Sequence, residues 1–411
     1  MTLNIVDVGT RGDGLAEEDG RRYFVPFTLP GEIVEAEEIE KRGEGIAAKL
    51  IEVTAPSRHR VKPPCKHFGT CGGCALQHWR LDAYLEWKAG LIDRALSQHG
   101  VAAPKFEPTL ATAPNERRRA DFVVRRGLAG FHERGSNRAF NVEECHVVLP
   151  KLVALLPALR GAATGDVVLD AIVNDTDTGL DVLLRPHKRT TLSLEANQKL
   201  VAFAGAADLA RLSFGDRANP EPIVTRRVPR LAYGEVTIEP PPGVFLQATK
   251  RAEQAMREAT AEWIGKAKHV ADLFAGIGAL AAGQPWKATL YESDKAAVAA
   301  ADAAGRKLGG AKLSAQRRDL FRNPLTAAGL KAFDAVVLDP PRAGAAAQCA
   351  ELATSGIGRI VYASCDPGSF SRDARTLQAA GYRLEKLKPI DQFLWSGHVE
   401  LIALFVRGET R

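Results

Sequence analysis

The sequence predicts a multidomain α/β protein whose C-terminal part is a doubly wound, Rossmann-like parallel sheet. Three observations carry this reading. The chain has 411 residues, two to three domains' worth at roughly 100 to 200 residues each. After Gln247, strand-like and helix-like segments alternate regularly, the pattern of a parallel sheet with crossover helices. The first of those strands runs into a glycine turn, Gly276-Ile277-Gly278, as nucleotide-binding strands do. A composition of 45% hydrophobic and 25% charged residues is that of a globular protein and excludes fibres and disorder. Fifty-five Lys and Arg against 49 Asp and Glu leave a formal charge of +6, which favours a polyanionic partner wherever the charge is clustered.

Along the chain, residues 1–55 alternate short β-prone runs (Tyr23 to Phe27, Gly31 to Ile39, Ile46 to Val53) with glycine turns at 12–14 and 43–45, the pattern of a small β-barrel. A Pro-rich basic connector follows from Ala55, then three cysteines and a helical pattern over 81–99. Residues 56–245 form a mixed central domain of several strands, onto whose C-terminal neighbour the helix 81–99 is free to pack. Residues 246–411 form the last domain. It starts with a helix from Thr249 to Ile264 and a strand from His269 to Phe274. An Ala-rich helix, the strand Ala288 to Glu292 and a further helix follow, then strands ending at Asp339 and Cys365. Arg383 to Ile390 and Glu400 to Val406 leave no room for a crossover helix, so they should form an antiparallel edge pair.

Six cysteines lie at 65, 71, 74, 145, 349 and 365. The amino terminus has no basic head followed by an apolar core, and no run reaches the ~18 apolar residues of a membrane span. A cytoplasmic protein with reduced thiols and no membrane partner is expected.

The chemistry gathers at strand ends. Gly276, Gly278 and Ala281 fit G-x-G-x-x-A spacing, and Glu292 closes the next strand, where an acid can bind both ribose hydroxyls. Asp319 and Asp339 end further segments along the same carboxyl edge. Asp339-Pro340-Pro341-Arg342 makes a rigid turn that continues neither ladder nor helix. Ser364-Cys365-Asp366-Pro367 ends the next strand in a thiol at the same cleft. A free thiol is only a few per cent ionised at neutral pH, so a modest lowering of its pKa would make Cys365 a nucleophile. Cys349 reads as a buried, inert cysteine.

Taken together, these features resemble the RNA uracil-5-methyltransferase family over essentially the whole chain. The resemblance implies an S-adenosylmethionine-dependent enzyme whose thiolate adds to uracil C6, so that C5 becomes nucleophilic enough to be methylated. It implies Cys365 as nucleophile and Glu400, in Gly397-His398-Val399-Glu400, as the base for the C5 proton, with His398 as the competing base. Asp339 and Gln247 match the residues between cofactor and uracil, while Phe274, Gly276, Gly278, Ala279, Glu292 and Asp319 match cofactor contacts. Ala279 and Asp366 stand where the family often carries Asn.

Cys65, Cys71, Cys74 and the distant Cys145 supply four thiolates, enough for a tetrahedral zinc or an iron-sulfur cubane. Likeness to the iron-sulfur subset of the family implies [4Fe-4S], with zinc as the runner-up. Arg117, Arg118, Arg119, Arg125, His132 and Arg134 interleave with Phe122 and Phe131, as in an RNA-contacting strand pair whose arginines meet phosphates and whose aromatics stack bases. The N-terminal segment resembles the TRAM module, an oligonucleotide-binding-like barrel. This combination points to the large-subunit (23S) ribosomal RNA branch, with transfer RNA methylation as the alternative and a monomer as the default state. A non-catalytic RNA-binding factor would not need Cys365 and Glu400, and an oxidoreductase would bind nicotinamide or flavin.

Overall fold

The computed structural model describes residues 1–162 and 167–408. Six strands open the chain: β1 (Thr2–Asn4), β2 (Asp7–Val8), β3 (Asp13–Glu18), β4 (Arg21–Pro26), β5 (Ile33–Arg42) and β6 (Gly45–Ala55). They form one sheet in the order β1-β5-β6-β4-β3-β2. Alternate residues such as Tyr23, Val25, Val34 and Ala36 face one small core, as the two-residue period of a strand requires.

The cysteine segment leads into α1 (Leu81–Gln98), and β7 (Leu110–Ala111) follows. A second sheet collects β8 (Arg119–Arg125), β9 (Leu128–His132) and β10 (Ala139–Asn141). After the short helices α2 (Pro150–Val153) and α3 (Leu156–Leu159) come β11 (Leu169–Thr176), β12 (Gly179–Pro186), α4 (Leu194–Ala206), β13 (Arg211–Phe214) and β14 (Glu221–Thr225). The sheet order is β10-β9-β8-β11-β12-β13-β14. The hairpin of β15 (Leu231–Tyr233) and β16 (Val236–Ile238) then precedes α5 (Lys250–Ile264), whose Thr249 hydroxyl caps the Ala252 N–H.

The last sheet alternates as the sequence predicts: β17 (His269–Leu273), β18 (Lys287–Glu292), α6 (Lys295–Lys307), β19 (Leu313–Arg317), α7 (Ala327–Leu330), β20 (Ala335–Leu338), α8 (Ala346–Ser355), β21 (Arg359–Ser364), α9 (Pro367–Ala379), β22 (Tyr382–Asp391) and β23 (Glu400–Arg407). Its order is β19-β18-β17-β20-β21-β23-β22-β7. The first five strands in that order are parallel, β23 is antiparallel to both neighbours, and β22 and β7 pair in parallel.

Two expectations fail here. The segment 274–286 holds turns and no α-helix. One helix-like bond survives, from Ala282 N–H to Gly278 O. The Arg257 guanidinium takes the carbonyls of Ala279 and Ala282, as a following helical turn would have done. Gly283 ends the segment at φ +68°, where a Cβ would lie 1.7 Å from the Tyr233 carbonyl oxygen. The β22–β23 pair is antiparallel, yet β7 covers β22 and forms the edge instead. The reason is α1, which buries Tyr84, Trp87, Leu91 and Ile92 in the core that holds Leu377 of α9 and Leu387 of β22, and so carries the following chain along that side.

Inside this contact lies a buried ion pair. Lys88 of α1 bonds the Asp391 carboxylate and donates to the Phe393 carbonyl at 3.1 Å, both charged side chains being fully buried. Among the described residues no helix is long and apolar enough to cross a membrane. Removing one partner of a buried pair leaves an uncompensated charge, at about 3–5 kcal/mol. Lys88→Met should therefore lose roughly that much in urea unfolding, and Asp391→Leu added to it should restore part of the loss.

Candidate active site

Parallel strands deliver their last residues to one edge. Leu273 pairs with Leu338 and with Tyr291, so Phe274, Asp339 and Glu292 emerge side by side. Leu338 pairs with Tyr362, which brings Cys365 into the same row. Because β23 runs the other way, its first residue belongs to that edge too: Ser364 pairs with Leu401, and Glu400 faces the end of β21. Gln247, just before α5, joins them by donating from Nε2 to Asp339 Oδ2 at 3.1 Å.

Glu292 is the anchor of the glycine turn. Its Oε2 accepts the Gly276 N–H at 2.9 Å, and its Oε1 accepts the N–H groups of Ser293 and Asp294 and the Ser293 hydroxyl. Phe274 sits in the left-handed region at φ +61°, and its ring lies 5.2 Å from Phe321. Asp319 is exposed and turns its carboxylate to the N–H groups of Phe321 and Arg322. The Asp339 turn is tied to α9, where Asp373 Oδ2 accepts the Ala345 N–H at 2.6 Å and the Tyr362 hydroxyl at 2.7 Å, and Arg372 donates to the Ala343 carbonyl. Asp366 caps α9 through the Ser369 N–H at 2.8 Å, so Cys365 stands at a helix N-terminus.

Desolvation dominates the electrostatics. Burial and the nearby Asp339 charge push the Glu400 carboxyl up to about 8, against the opposing charge of Lys88. Burial pushes Asp339 up to about 7, against the hydrogen bond from Gln247. Asp272, buried in β17 with no partner for either oxygen among the described residues, is held well above the usual range by burial, then by Asp339 and Glu292. The Cys365 thiol rises to about 11 through burial and the charges of Glu400 and Asp339, with Arg342 opposing. The expected lowering of its pKa is therefore reversed, since burial and the neighbouring acids outweigh the one cation.

A family model described as tRNA (Uracil-5-)-methyltransferase matches residues 313–407, which carry Asp339, Cys365 and Glu400. The 23S rRNA (uracil(1939)-C(5))-methyltransferase RlmD of Halomonas elongata is 32% identical, over 96% of this chain and 86% of that protein. The chain belongs to the RNA uracil-5-methyltransferase family. An RNA methyltransferase of Rhizobium meliloti, uncharacterized, is 41% identical over 98% of both chains. The fold matches that of Pyrococcus abyssi tRNA (uracil-54, C5)-methyltransferase, solved with S-adenosyl-L-homocysteine, at a TM-score of 0.76 and 22% identity over 99% of both chains.

Elsewhere in this family member, Cys65, Cys71, Cys74 and Cys145 wall one cavity together with His67 and Phe131. Among the described residues no three His, Cys, Asp or Glu side chains converge closely enough for a single metal ion. Burial lifts the Cys74 thiol to about 12, so binding a metal there would release protons.

The basic strand pair exists as β8 and β9, but two of its members face inward. Arg118 is 2% exposed, bonded to Glu253 at 2.5 Å and to the Gln247 carbonyl at 3.1 Å, and Phe122 is fully buried. Neither is available to RNA: Phe122 of β8 is turned to the core, and Arg118, just before that strand, is held by Glu253 and Gln247. Arg134 is ion-paired to Asp13 of β3 and stacks on Phe27. Arg117, Arg119, Arg125 and Phe131 are half-buried and His132 is exposed.

The residues missed from the sequence are Lys88, Asp391, Gln392 and Asp272. Only Asp272 gave a signal, as a lone acid inside the apolar run Val270 to Phe274. From the thiol's position near 11, alkylation of Cys365 by iodoacetamide should rise about tenfold per pH unit from 7 to 10, followed by peptide mass spectrometry. Glu400→Gln removes the largest charge that raises the thiol, so at pH 9 it should speed labelling. An unchanged rate would contradict the electrostatic account.

Proposed function

We propose that this protein methylates C5 of a uridine in folded RNA, with S-adenosylmethionine as methyl donor, and that its substrate is 23S ribosomal RNA. The observation that carries the reading is the meeting of a thiol, Cys365, and a buried carboxyl, Glu400, across the β21–β23 pair beside Asp339. The target base leaves its stack to enter the cleft. Cys365 Sγ gives up its proton to solvent water and bonds to C6, and the electron pair displaced from the C5–C6 double bond makes C5 nucleophilic. S-adenosylmethionine supplies the methyl group. Glu400 then takes the C5 proton at Oε2, which has no partner among the described residues. The C5–H electrons restore the double bond as sulfur leaves.

Gln247 and Asp339 orient the reacting groups. Phe274, Gly276, Gly278, Ala279, Glu292 and Asp319 hold the donor, with Glu292 serving both the glycine turn and the ribose. The ribosomal assignment rests on likeness to RlmD of Halomonas elongata together with the N-terminal sheet and the four clustered cysteines. We assign Cys65, Cys71, Cys74 and Cys145 to a [4Fe-4S] cluster with a structural role, because methyl transfer is redox-neutral. The half-buried arginines 117, 119 and 125, with His132, would meet the RNA backbone in the cytoplasm.

RNA carrying 5-fluorouridine replaces the proton that must leave, so elimination should stall. A crosslink requiring both S-adenosylmethionine and Cys365 is expected, and sequencing the trapped RNA decides between ribosomal and transfer RNA. Methyl incorporation by Cys365→Ala at the wild-type rate would reject the mechanism. Glu292→Ala should weaken S-adenosylmethionine binding by roughly tenfold or more in calorimetry, the effect of losing a charged hydrogen bond. Because Glu400 lies near 8, kcat/KM should climb as pH rises from 6 to 9, the base being active only when deprotonated. Protein purified anaerobically should contain iron and acid-labile sulfide, and zinc alone would overturn the cluster.

A further inference from the structure

Gln392 follows β22 and is 1% exposed. Its Oε1 accepts the Ala248 N–H at 2.8 Å, and its Nε2 donates to Gln247 Oε1 at 2.8 Å. Gln247 in turn donates from Nε2 to Asp339 Oδ2 at 3.1 Å. The direction of this chain is not free. A peptide N–H can only donate, so the corner of the Gln392 amide that faces Ala248 must be its oxygen. The other corner is then the NH2 group, Gln247 must meet it with oxygen, and only the Gln247 NH2 remains for Asp339. One backbone N–H thus sets the orientation of two side-chain amides and ensures that Asp339 receives a donor.

We propose that Gln392 is a positioning residue of the methyl-transfer site, acting through Gln247 to keep a hydrogen-bond donor on Asp339. The consequence is chemical as well as geometric. A donor favours the ionised carboxylate, and it opposes the burial that raises this acid. The other groups acting on Asp339 or acted on by it are Asp272 of β17, Cys365 after β21 and Glu400 of β23. The relay also ties the start of α5 to the segment 392–399 that leads into Glu400, so three parts of the cleft share one network. This inference rests on the methyltransferase reading for its kinetic assay, but not for its binding assay.

The test compares Gln392→Met, which keeps the volume and loses both polar atoms, with Gln392→Glu, which keeps the shape and loses the donor. Ionised glutamate at 392 still accepts from Ala248, but it forces Gln247 to turn its NH2 toward it and its oxygen toward Asp339. Asp339 must then be protonated to pair, so the two acids share one proton. Gln392→Glu should melt near wild type, and Gln392→Met below it but folded, because the buried Ala248 N–H loses its acceptor. S-adenosylmethionine affinity and the single-turnover rate are measured from pH 5.5 to 9. Gln392→Glu should move the acid limb of binding upward by about one pH unit, and both variants should lower the rate by roughly tenfold or more, with the KM for RNA nearly unchanged. Repeating the binding series in Glu400→Gln removes that acid from the profile, and the shift should persist. Rates and acid limbs within twofold of wild type in both folded variants would overturn the relay. If wild type binds the donor but transfers no methyl group to RNA, the proposed function fails, while the binding limb still tests Gln392.

Discussion

Antiparallel pairing of β23 against β21 is the constraint on which the cleft depends. Five parallel strands bring only their C-terminal ends to one edge, and a sheet built from them alone would present Asp339 and Cys365 without the carboxyl of Glu400 facing them. Reversing a single strand brings an N-terminal end, Glu400, to the same row. The reversal also places the segment 392–399 over the cleft, so that Gln392 reaches Gln247.

Crowding acids into this row has an electrostatic consequence. Asp272, Asp339 and Glu400 are each raised first by loss of water; Asp339 then raises the other two, and Glu400 and Asp339 add to the burial that raises the Cys365 thiol. The cations that oppose this are Arg257 at Asp272, Lys88 at Glu400 and Arg342 at Cys365. Such a site resists ionisation until a polar or cationic partner arrives, as expected where acids serve in proton transfer near neutral pH. A sulfonium donor fits that demand, since its positive charge favours the carboxylate forms.

The segment before Glu400 is also the meeting point of distant parts of the chain. The Trp395 carbonyl accepts the N–H groups of Ala75 and Leu76 at 2.9 and 3.0 Å, directly after Cys74. Trp395 holds φ +58°, and Gly397 leaves room for the Thr10 carbonyl, which a Cβ would approach to 2.2 Å. Trp87 of α1 donates to the Val8 carbonyl at 3.0 Å. The N-terminal sheet, the cysteine segment and α1 therefore all bear on the residues that lead to Glu400. This gives the cysteine cavity a structural connection to the cleft that needs no electron transfer.

By itself the sequence determined what depends on neighbours along the chain: the alternation after Gln247, the turns at Gly276 and Pro340, and the strand ends carrying Glu292, Asp339 and Cys365. Such features follow from side-chain period and turn chemistry, which act over a few residues. Tertiary structure decided the rest. The Ala-rich stretch after Gly278 carries helix-forming residues, yet Arg257 and the close approach of Gly283 to Tyr233 hold it in turns. Arg118 and Phe122 belong to a basic, aromatic run whose composition suggests RNA, but burial depends on which strand lies beside them, here β11. Lys88 and Asp391 are 303 positions apart, and Gln392 meets a partner 145 residues away. Partners so distant are chosen by sheet order and helix packing, and no local pattern encodes them.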